Sequence, residues 1–266
     1  MYLENFFKND KEALGCANCR DNKPIDFKIQ MAFQPIVHGV TGEIYAHEAL
    51  VRGLNGESAY EVISKLTPEQ LYRFDQTCRV MAIETAASLG INTKLSINFM
   101  PNAVYQPASC IRLTLAAAKR CQFPTDQIIF ELSETERVSS YDHLKNIVEE
   151  YKSQHFHVAI DDFGAGYSGL NLLVNFKPNI IKLDMELIRN IDSDATRAAV
   201  VQGILKTCRL LNILVIAEGI ETLAEFDALK SLGVTYFQGY LFAKPQIEQL
   251  PTINPALNFA DKSQAD

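Results

Sequence analysis

Eight short runs of β-branched and other apolar residues recur along the chain, and longer stretches with helical spacing separate most of them. Strands that alternate with helices predict an α/β fold, either a closed barrel or a doubly wound sheet, and a count of eight favours the barrel. The predicted strands are Met31–Val37, Ile44–Val51, Lys94–Met100, Ile128–Leu132, His157–Ile160, Ile180–Leu183, Val215–Ala217 and Tyr236–Phe242.

The first two predicted strands differ from the others, because only the six residues from His38 to Glu43 separate them. A parallel crossover needs about a dozen residues or more, so this gap predicts an antiparallel hairpin. The sequence therefore predicts a barrel whose regular β/α order is broken at its start.

Five stretches have the spacing of amphipathic helices. Gly90 and Gly233 follow two of them, at positions typical of helix C-caps. The predicted helices are Gln70–Leu89, Ile111–Cys121, Tyr141–Gln154, Ala195–Leu211 and Leu223–Leu232.

The chain has 266 residues and a formal net charge of −7, which argues against a broad basic face for a nucleic acid polymer or an anionic membrane. No apolar run approaches the roughly 18 to 20 residues of a spanning helix, so membrane insertion is not expected. The first residues lack the pattern of a signal peptide. These features predict a soluble, cytoplasmic protein.

The ends of the chain are more polar than its middle. We expect an N-terminal extension over 1–27, a barrel domain over 28–250 and a polar C-terminal tail over 251–266. The extension contains a CxxC motif at Cys16 and Cys19. This motif is compatible with half a zinc site or a redox pair, but no second pair completes a zinc site, and plain reduced thiols are favoured.

Acidic and polar residues recur where the predicted strands end, which is where α/β folds build active sites. A single acid there is commonly a helix cap or a solvated loop residue, but a series over most strands indicates a site. The series is Glu48, Asn98, Glu131, Asp161, Asp162, Lys182, Glu218, Glu221 and Gln238.

If the barrel closes, five of these carboxylates converge on one mouth against the single cation of Lys182. Such a group would repel or take up protons unless cations were bound. Carboxylate oxygens and the Asn98 amide oxygen are ligands that suit Mg²⁺ or Mn²⁺. Adjacent Asp161 and Asp162 suggest that two ions are bridged, as in sites that clamp the oxygens of a phosphoryl centre.

The order of these residues resembles the EAL-domain phosphodiesterases, which hydrolyse cyclic di-GMP to linear pGpG. Glu48-Ala49-Leu50 with Arg52 is similar to their signature, and the matching motifs span about residues 28–245. The other motifs are Phe33-Gln34-Pro35-Ile36, Ser96-Ile97-Asn98, Glu131-Leu132-Ser133-Glu134, Asp161–Ser168, Ile181–Asp184, Ala217–Glu221 and Phe237–Tyr240.

The resemblance implies a modified TIM (β/α)8 barrel with an antiparallel first strand, a homodimer, and two divalent cations, Mg²⁺ or Mn²⁺. Ca²⁺ is expected to inhibit, because a larger ion that tolerates irregular coordination would hold the substrate without aligning the water. Lys182 would orient the attacking water, with Glu221 and Gln238 in support. Arg52 would contact the phosphate region of cyclic di-GMP. The remaining implied roles are metal ligation by Glu48, Asn98, Glu131 and Asp161 for one ion and by Asp161, Asp162 and Glu218 for the other, ligand contact by Gln34, and anchoring of the Asp162–Ser168 loop by Glu134.

The sequence departs from the family pattern after Arg52, where the family usually continues with a tryptophan and a longer segment. Here the segment is short and the chain has no Trp. Three hypotheses remain: an active phosphodiesterase, a catalytically silent cyclic di-GMP receptor, and a protein-interaction regulator. The complete set of expected metal ligands favours the enzyme.

Overall fold

We describe the protein from a computed structural model, which covers residues 25–134, 140–166 and 169–259. Within those residues, eight strands form a closed barrel and a ninth short strand pairs with the first strand, antiparallel to it. The strands are β1 (Ile29–His38), β2 (Ile44–Gly53), β3 (Lys94–Asn98), β4 (Ile128–Ser133), β5 (His157–Phe163), β6 (Ile180–Leu183), β7 (Leu214–Ala217), β8 (Tyr236–Phe237) and β9 (Gln246–Ile247).

The barrel closes because β1 pairs with both β2 and β8, in each case antiparallel. The strands from β2 to β8 pair in parallel and in chain order. The expected modified TIM barrel with an antiparallel first strand is therefore confirmed. The long register between β1 and β2 sets Gln34 opposite Glu48, so both side chains lie on the same face of the sheet.

Helices surround the barrel and connect most of its parallel strands. They are α1 (Ala59–Ile63), α2 (Leu71–Ser88), α3 (Pro107–Cys110), α4 (Arg112–Arg120), α5 (Tyr141–Ser153), α6 (Gly169–Phe176), α7 (Met185–Ile188), α8 (Ala195–Leu211) and α9 (Leu223–Ser231). Gly90 and Gly233 follow the C-caps of α2 and α9 with positive φ angles of 72° and 98°, as their positions in the sequence predict.

Some element boundaries differ from the expected ones. The eighth strand ends at Phe237 rather than at Phe242, because the chain turns at Gly239, whose carbonyl accepts from the amides of Phe242 and Ala243. Four short helices, α1, α3, α6 and α7, were not expected from the sequence; they have four to eight residues, too few for a clear helical period.

The segment expected to be a polar tail packs on the barrel as far as residue 259. Pro251 is buried, and Ile253, Leu257 and Phe259 pack against the main core. The Asn254 amide donates to the Phe242 carbonyl at 2.7 Å. The CxxC motif lies outside the described residues. Among the described helices, none is both long and apolar enough to span a membrane.

Apolar side chains form a layer inside the barrel, separate from the large core between the strands and the helices. The layer consists of Ile36, Ala46, Ile129, Ala159, Ile180 and Ile216. Side chains two residues apart on a strand share a face, so the next inward position on each strand lies one layer nearer the carboxyl ends of the parallel strands. The polar residues described below occupy that second layer.

Candidate active site

Lys182 lies at the centre of the polar layer and is fully buried. Its position follows from β6, where Ile180 contributes to the apolar layer and Lys182 points inward two residues later. Its Nζ contacts four carboxylates at 2.9–3.3 Å. These four carboxylates, which form a ring around Lys182, are Glu48 on β2, Glu131 on β4, Asp161 on β5 and Glu218 after β7.

Glu48 links the ring to Asn98 at the end of β3 and to Gln238, which follows β8. Its Oε1 accepts from Asn98 Nδ2 at 2.8 Å, and its Oε2 accepts from Gln238 Nε2 at 2.7 Å. Gln238 Nε2 also lies 3.2 Å from Gln34 Oε1, and Gln34 Nε2 donates to the Ala243 carbonyl at 3.1 Å. Residues from β1, β2, β3 and the end of β8 therefore meet in one hydrogen-bonded group.

The two adjacent aspartates of β5 both remain near the mouth because the strand is irregular there. Its register with β6 shifts between Ile160 and Phe163, and Asp162 has a φ of 54°. Asp161 Oδ1 lies 2.9 Å from Lys182, whereas Asp162 Oδ2 accepts from Ser133 Oγ at 2.8 Å. Bulges and left-handed non-glycine residues are typical of functional sites.

Burial and mutual repulsion shift the pKa values of the ring carboxyl groups. Burial, together with repulsion by Glu48 and Asp161, raises the pKa of Glu131 well above its usual value despite Lys182. Burial and Asp161 likewise raise the pKa of Glu218. Burial would raise the pKa of Asp161 too, but Lys182 and a hydrogen bond with Glu218 outweigh it and lower that pKa. The ring thus holds more carboxyl groups than its one ammonium can neutralise.

Burial and repulsion by Asp161 also raise the pKa of Asp162. Burial alone would lower the pKa of Lys182, but its carboxylate neighbours outweigh that effect and the pKa lies well above the usual value. Lys182 therefore stays protonated over the whole physiological pH range.

The donor set fits divalent ions that prefer oxygen. Carboxylate oxygens of Glu48, Glu131 and Asp161 lie within 4.8 Å of one another. Within the described residues, Glu218 Oε1 and Gln238 Oε1 are buried acceptors without a hydrogen-bond partner. Surplus acidic charge and unpaired acceptors are what bound cations would satisfy.

Three of the expected residues lie around the ring rather than in it. Arg52 lies on β2 on the face that carries Glu48, half-buried, and its Nη1 donates to the Val51 carbonyl. Glu221 is half-exposed and pairs with Arg189 at 3.4 Å. Glu134 Oε2 accepts from the Gly164 amide at 2.7 Å, in the loop that follows β5.

Two serines support the ring and were not singled out from the sequence. Ser96 Oγ hydrogen-bonds Glu131, and Ser133 Oγ hydrogen-bonds Asp162. The alternation of the strands could have identified them: Ser96 precedes Asn98 by two residues and Ser133 follows Glu131 by two, so each serine shares a face with a predicted site residue.

A cavity of about 330 Å³ opens beside the ring. Glu48, Asn98 and Asp161 line its polar end, and residues of β2, α1 and α2 such as Val51 and Phe74 line its apolar wall. The site therefore combines charged ligands with an apolar surface, as small-molecule sites commonly do.

The chain is similar to characterised proteins over most of its length. A family model described as the EAL domain matches residues 23–245. The chain is 34% identical over 84% of its length to the blue light- and temperature-regulated antirepressor BluF of Escherichia coli, and 31% identical over 84% to the cyclic di-GMP phosphodiesterase PdeF of the same organism. The matched part spans 55% of BluF and 31% of PdeF.

Solved structures of EAL proteins are also similar to this chain. A standalone EAL protein of Vibrio cholerae O395 with bound c-di-GMP is 58% identical, with a TM-score of 0.84 over 87% of this chain and 98% of that one. A manganese and c-di-GMP complex of BlrP1 from Klebsiella pneumoniae is 30% identical, with a TM-score of 0.80 over 95% of this chain and 69% of that one. This chain belongs to the EAL domain family.

Proposed function

We propose that this chain is a phosphodiesterase that hydrolyses cyclic di-GMP to linear pGpG with the help of two divalent ions, Mg²⁺ or Mn²⁺. The observation that carries the proposal is the ring of four carboxylates around Lys182 at the mouth of the barrel. Relatives named as cyclic di-GMP phosphodiesterases support it, as do related structures that hold this dinucleotide with manganese or calcium.

The four ring carboxylates, together with Asn98 and Asp162, would form two overlapping sets of metal ligands. When bound, the two ions would supply the Lewis acidity that lowers the pKa of water and offsets charge on phosphoryl oxygens. One set is Glu48, Asn98, Glu131 and Asp161, and the other is Asp161, Asp162 and Glu218.

The protein's own residues would position the reactants. Lys182 keeps its proton on Nζ because four carboxylates surround it, and from this position it would orient the attacking water. Gln238 fixes the Glu48 carboxylate through its Nε2, with Gln34 behind it. Glu221, half-exposed and paired with Arg189, would support the water from the rim of the site.

The remaining expected contacts concern the dinucleotide and the loop. Arg52, at the end of β2, would bind a phosphate of the substrate, and the apolar wall of the cavity suits the face of a guanine base. Glu134 would hold the loop after β5 through the Gly164 amide. A Cβ at Gly166 would lie 2.8 Å from Glu134 Oε1, so a side chain there would displace the Glu134 carboxylate.

A homodimer in the cytoplasm completes the proposal. Leu170 and Val174 are 65% and 74% exposed on α6, and residues four apart share a helix face, so they form an apolar patch that a second copy could cover. Four described cysteines are free thiols, which agrees with a reducing compartment. Light scattering of the wild type and of the Leu170→Glu, Val174→Glu variant tests the dimer.

Incubating the purified protein with cyclic di-GMP and Mn²⁺ or Mg²⁺, and separating the products by chromatography, tests the activity. We expect pGpG from the wild type, and at least a roughly 100-fold loss of turnover in Glu48→Ala and Asp161→Asn, because even outer partners of metal ligands cost 10- to 100-fold. Glu149→Ala, at an exposed position on α5, is the matched acidic control. Full activity in either ring variant would contradict the two-metal assignment.

The second candidate is a receptor or regulator without turnover, which the relationship to the antirepressor BluF favours. Equilibrium binding of cyclic di-GMP in Ca²⁺ separates the cases. If the protein binds cyclic di-GMP but forms no pGpG in Mn²⁺, it is a receptor. If it neither binds cyclic di-GMP nor forms pGpG, the remaining candidate is a protein-interaction regulator.

A further inference from the structure

Arg79 on α2 is a fully buried side chain that lies outside the ring, between the barrel wall and the surrounding helices. Its Nη2 pairs with Asp75 Oδ2 at 2.7 Å, and its Nη1 donates to Tyr151 Oη at 2.6 Å. Asp75 is also buried. The two residues form an ion pair in the main core, where charged groups are rare.

The guanidinium of Arg79 contacts two aromatic residues, each of which is adjacent in sequence to an expected metal ligand. Its Cζ lies 5.3 Å from the ring centroid of Phe99 and 5.1 Å from that of Phe130. Phe99 follows Asn98, and Phe130 precedes Glu131. Because successive side chains of a strand point to opposite faces, rings held against Arg79 outside the barrel direct Asn98 and Glu131 to the inside.

Asp75 holds the backbone at the same place. Its Oδ1 accepts from the amide of Met100 at 2.9 Å, just after β3 ends. The Phe99 amide in turn donates to the carbonyl of Glu131 at 3.0 Å. The carboxyl ends of β3 and β4 are thus joined to each other and, through Asp75 and Arg79, to α2.

Stability alone does not account for this ion pair. A buried pair is often replaceable by apolar residues without loss of stability, because desolvation offsets the attraction. Within the described residues, Arg79 Nε is buried without a hydrogen-bond partner, which adds to the cost. A contribution of the Asp75–Arg79 pair to the geometry of the neighbouring carboxylate site would explain why a pair that costs stability is present.

We propose that Asp75 and Arg79 are positioning residues, which hold the ends of β3 and β4 so that Asn98 and Glu131 present their oxygens to a divalent ion. This inference rests on the proposed function, because it takes Asn98 and Glu131 to be metal ligands. Both residues lie outside the ring, although Asp75 lines the cavity beside it, and they act on Asn98 and Glu131 through Met100, Phe99 and Phe130.

The test uses two charge-balanced double variants, which avoid an unpaired buried charge. Asp75→Leu with Arg79→Met removes both the ion pair and the acceptor for the Met100 amide. Asp75→Asn with Arg79→Met keeps that acceptor. Leu205→Ala, a buried residue on α8, is the control for a general loss of stability. Thermal melting verifies folding, and Mn²⁺ affinity is measured directly by calorimetry and by electron paramagnetic resonance without substrate.

We expect the Leu/Met variant to bind Mn²⁺ at least about 10-fold more weakly than the wild type, the lower end of the effect of residues behind metal ligands. The Asn/Met variant should lose less, and Leu205→Ala should bind as the wild type does. Unchanged affinity in the folded Leu/Met variant would overturn the inference, as would an equal loss in Leu205→Ala. If the Leu/Met variant does not fold, the Asn/Met variant decides by the same comparison. A wild type that binds no Mn²⁺ would instead refute the proposed function.

Discussion

Replacing Lys182 by methionine tests whether the ring is a strained arrangement of charge in the metal-free protein. The variant keeps the length of the side chain but removes the ammonium that contacts four carboxylates. Removing one partner of a buried ion pair costs about 3–5 kcal/mol, because the remaining charges stay buried without compensation. For domains of about 150–250 residues this corresponds to a fall in melting temperature of roughly 6–20 °C.

The size of the effect depends on pH in a defined direction. Burial raises the pKa of Glu131 and of Glu218, so protonation of these groups relieves the repulsion as the pH falls. We therefore expect the melting temperature of the metal-free variant to lie further below that of the wild type at pH 8 than at pH 6. Lys94→Met, at the opposite end of the barrel, where Nζ donates to the Asp126 carbonyl, is the matched control.

Binding of Mn²⁺ should restore stability that the Lys182→Met variant has lost. A ligand that binds only the folded state stabilises it by about 2.7 kcal/mol at 100 times its dissociation constant. Without Lys182 the ring carries one more uncompensated negative charge, so the stabilisation by Mn²⁺ should be larger in the variant than in the wild type. Calorimetric melting with and without Mn²⁺ measures both quantities. Equal melting temperatures without metal, or equal stabilisation by Mn²⁺, would refute this account of the ring.

Three further predictions concern ions and pH. The affinity for Mn²⁺ should rise with pH, because burial raises the pKa of Glu131 and of Glu218 and their protons must leave before an ion binds; titrations between pH 6 and 8 that show no change would contradict this. Ca²⁺ should compete with Mn²⁺ and abolish turnover while cyclic di-GMP stays bound, because its looser coordination does not align the water; turnover in Ca²⁺ equal to that in Mn²⁺ would exclude this explanation. Burial lowers the pKa of His47 from 6.5 to about 4, so its neutral form stabilises the fold above pH 6.5 and that stability is lost as the pH falls toward 4. Urea unfolding should show a loss of about 3 kcal/mol over that interval, absent in His47→Asn, and an identical loss in the variant would assign it to other groups.

The arrangement of strands and the inward direction of the ring follow from local patterns. Strands of alternating period set each inward polar residue two positions after an inward apolar one, as with Ile180 and Lys182. The short gap after β1 predicts the antiparallel hairpin because no crossover fits in it. Both features depend on near neighbours in the chain, which a sequence displays directly.

The contacts that depend on distant pairs were not predictable. The left-handed conformation of Asp162 comes from a shift in the pairing of β5 with β6, and strand alternation alone would turn Asp162 away from Asp161. Helical spacing places Arg79 on α2 but does not show that Tyr151 and Phe130 surround it. Such pairs arise only when the barrel closes and the helices pack on it.

The energetics of the ring bear on the choice between an enzyme and a silent receptor. Buried carboxylates with raised pKa values, such as Glu131 and Glu218, make the metal-free protein less stable as the pH rises through those values. A protein that binds a dinucleotide without a metal ion gains nothing from that loss of stability, and substitution of an amide for either acid would avoid the loss. Bound cations turn the same groups into ligands and recover the stability. The excess of acids around Lys182 therefore favours a site that is used with metal ions, as the proposed hydrolysis requires.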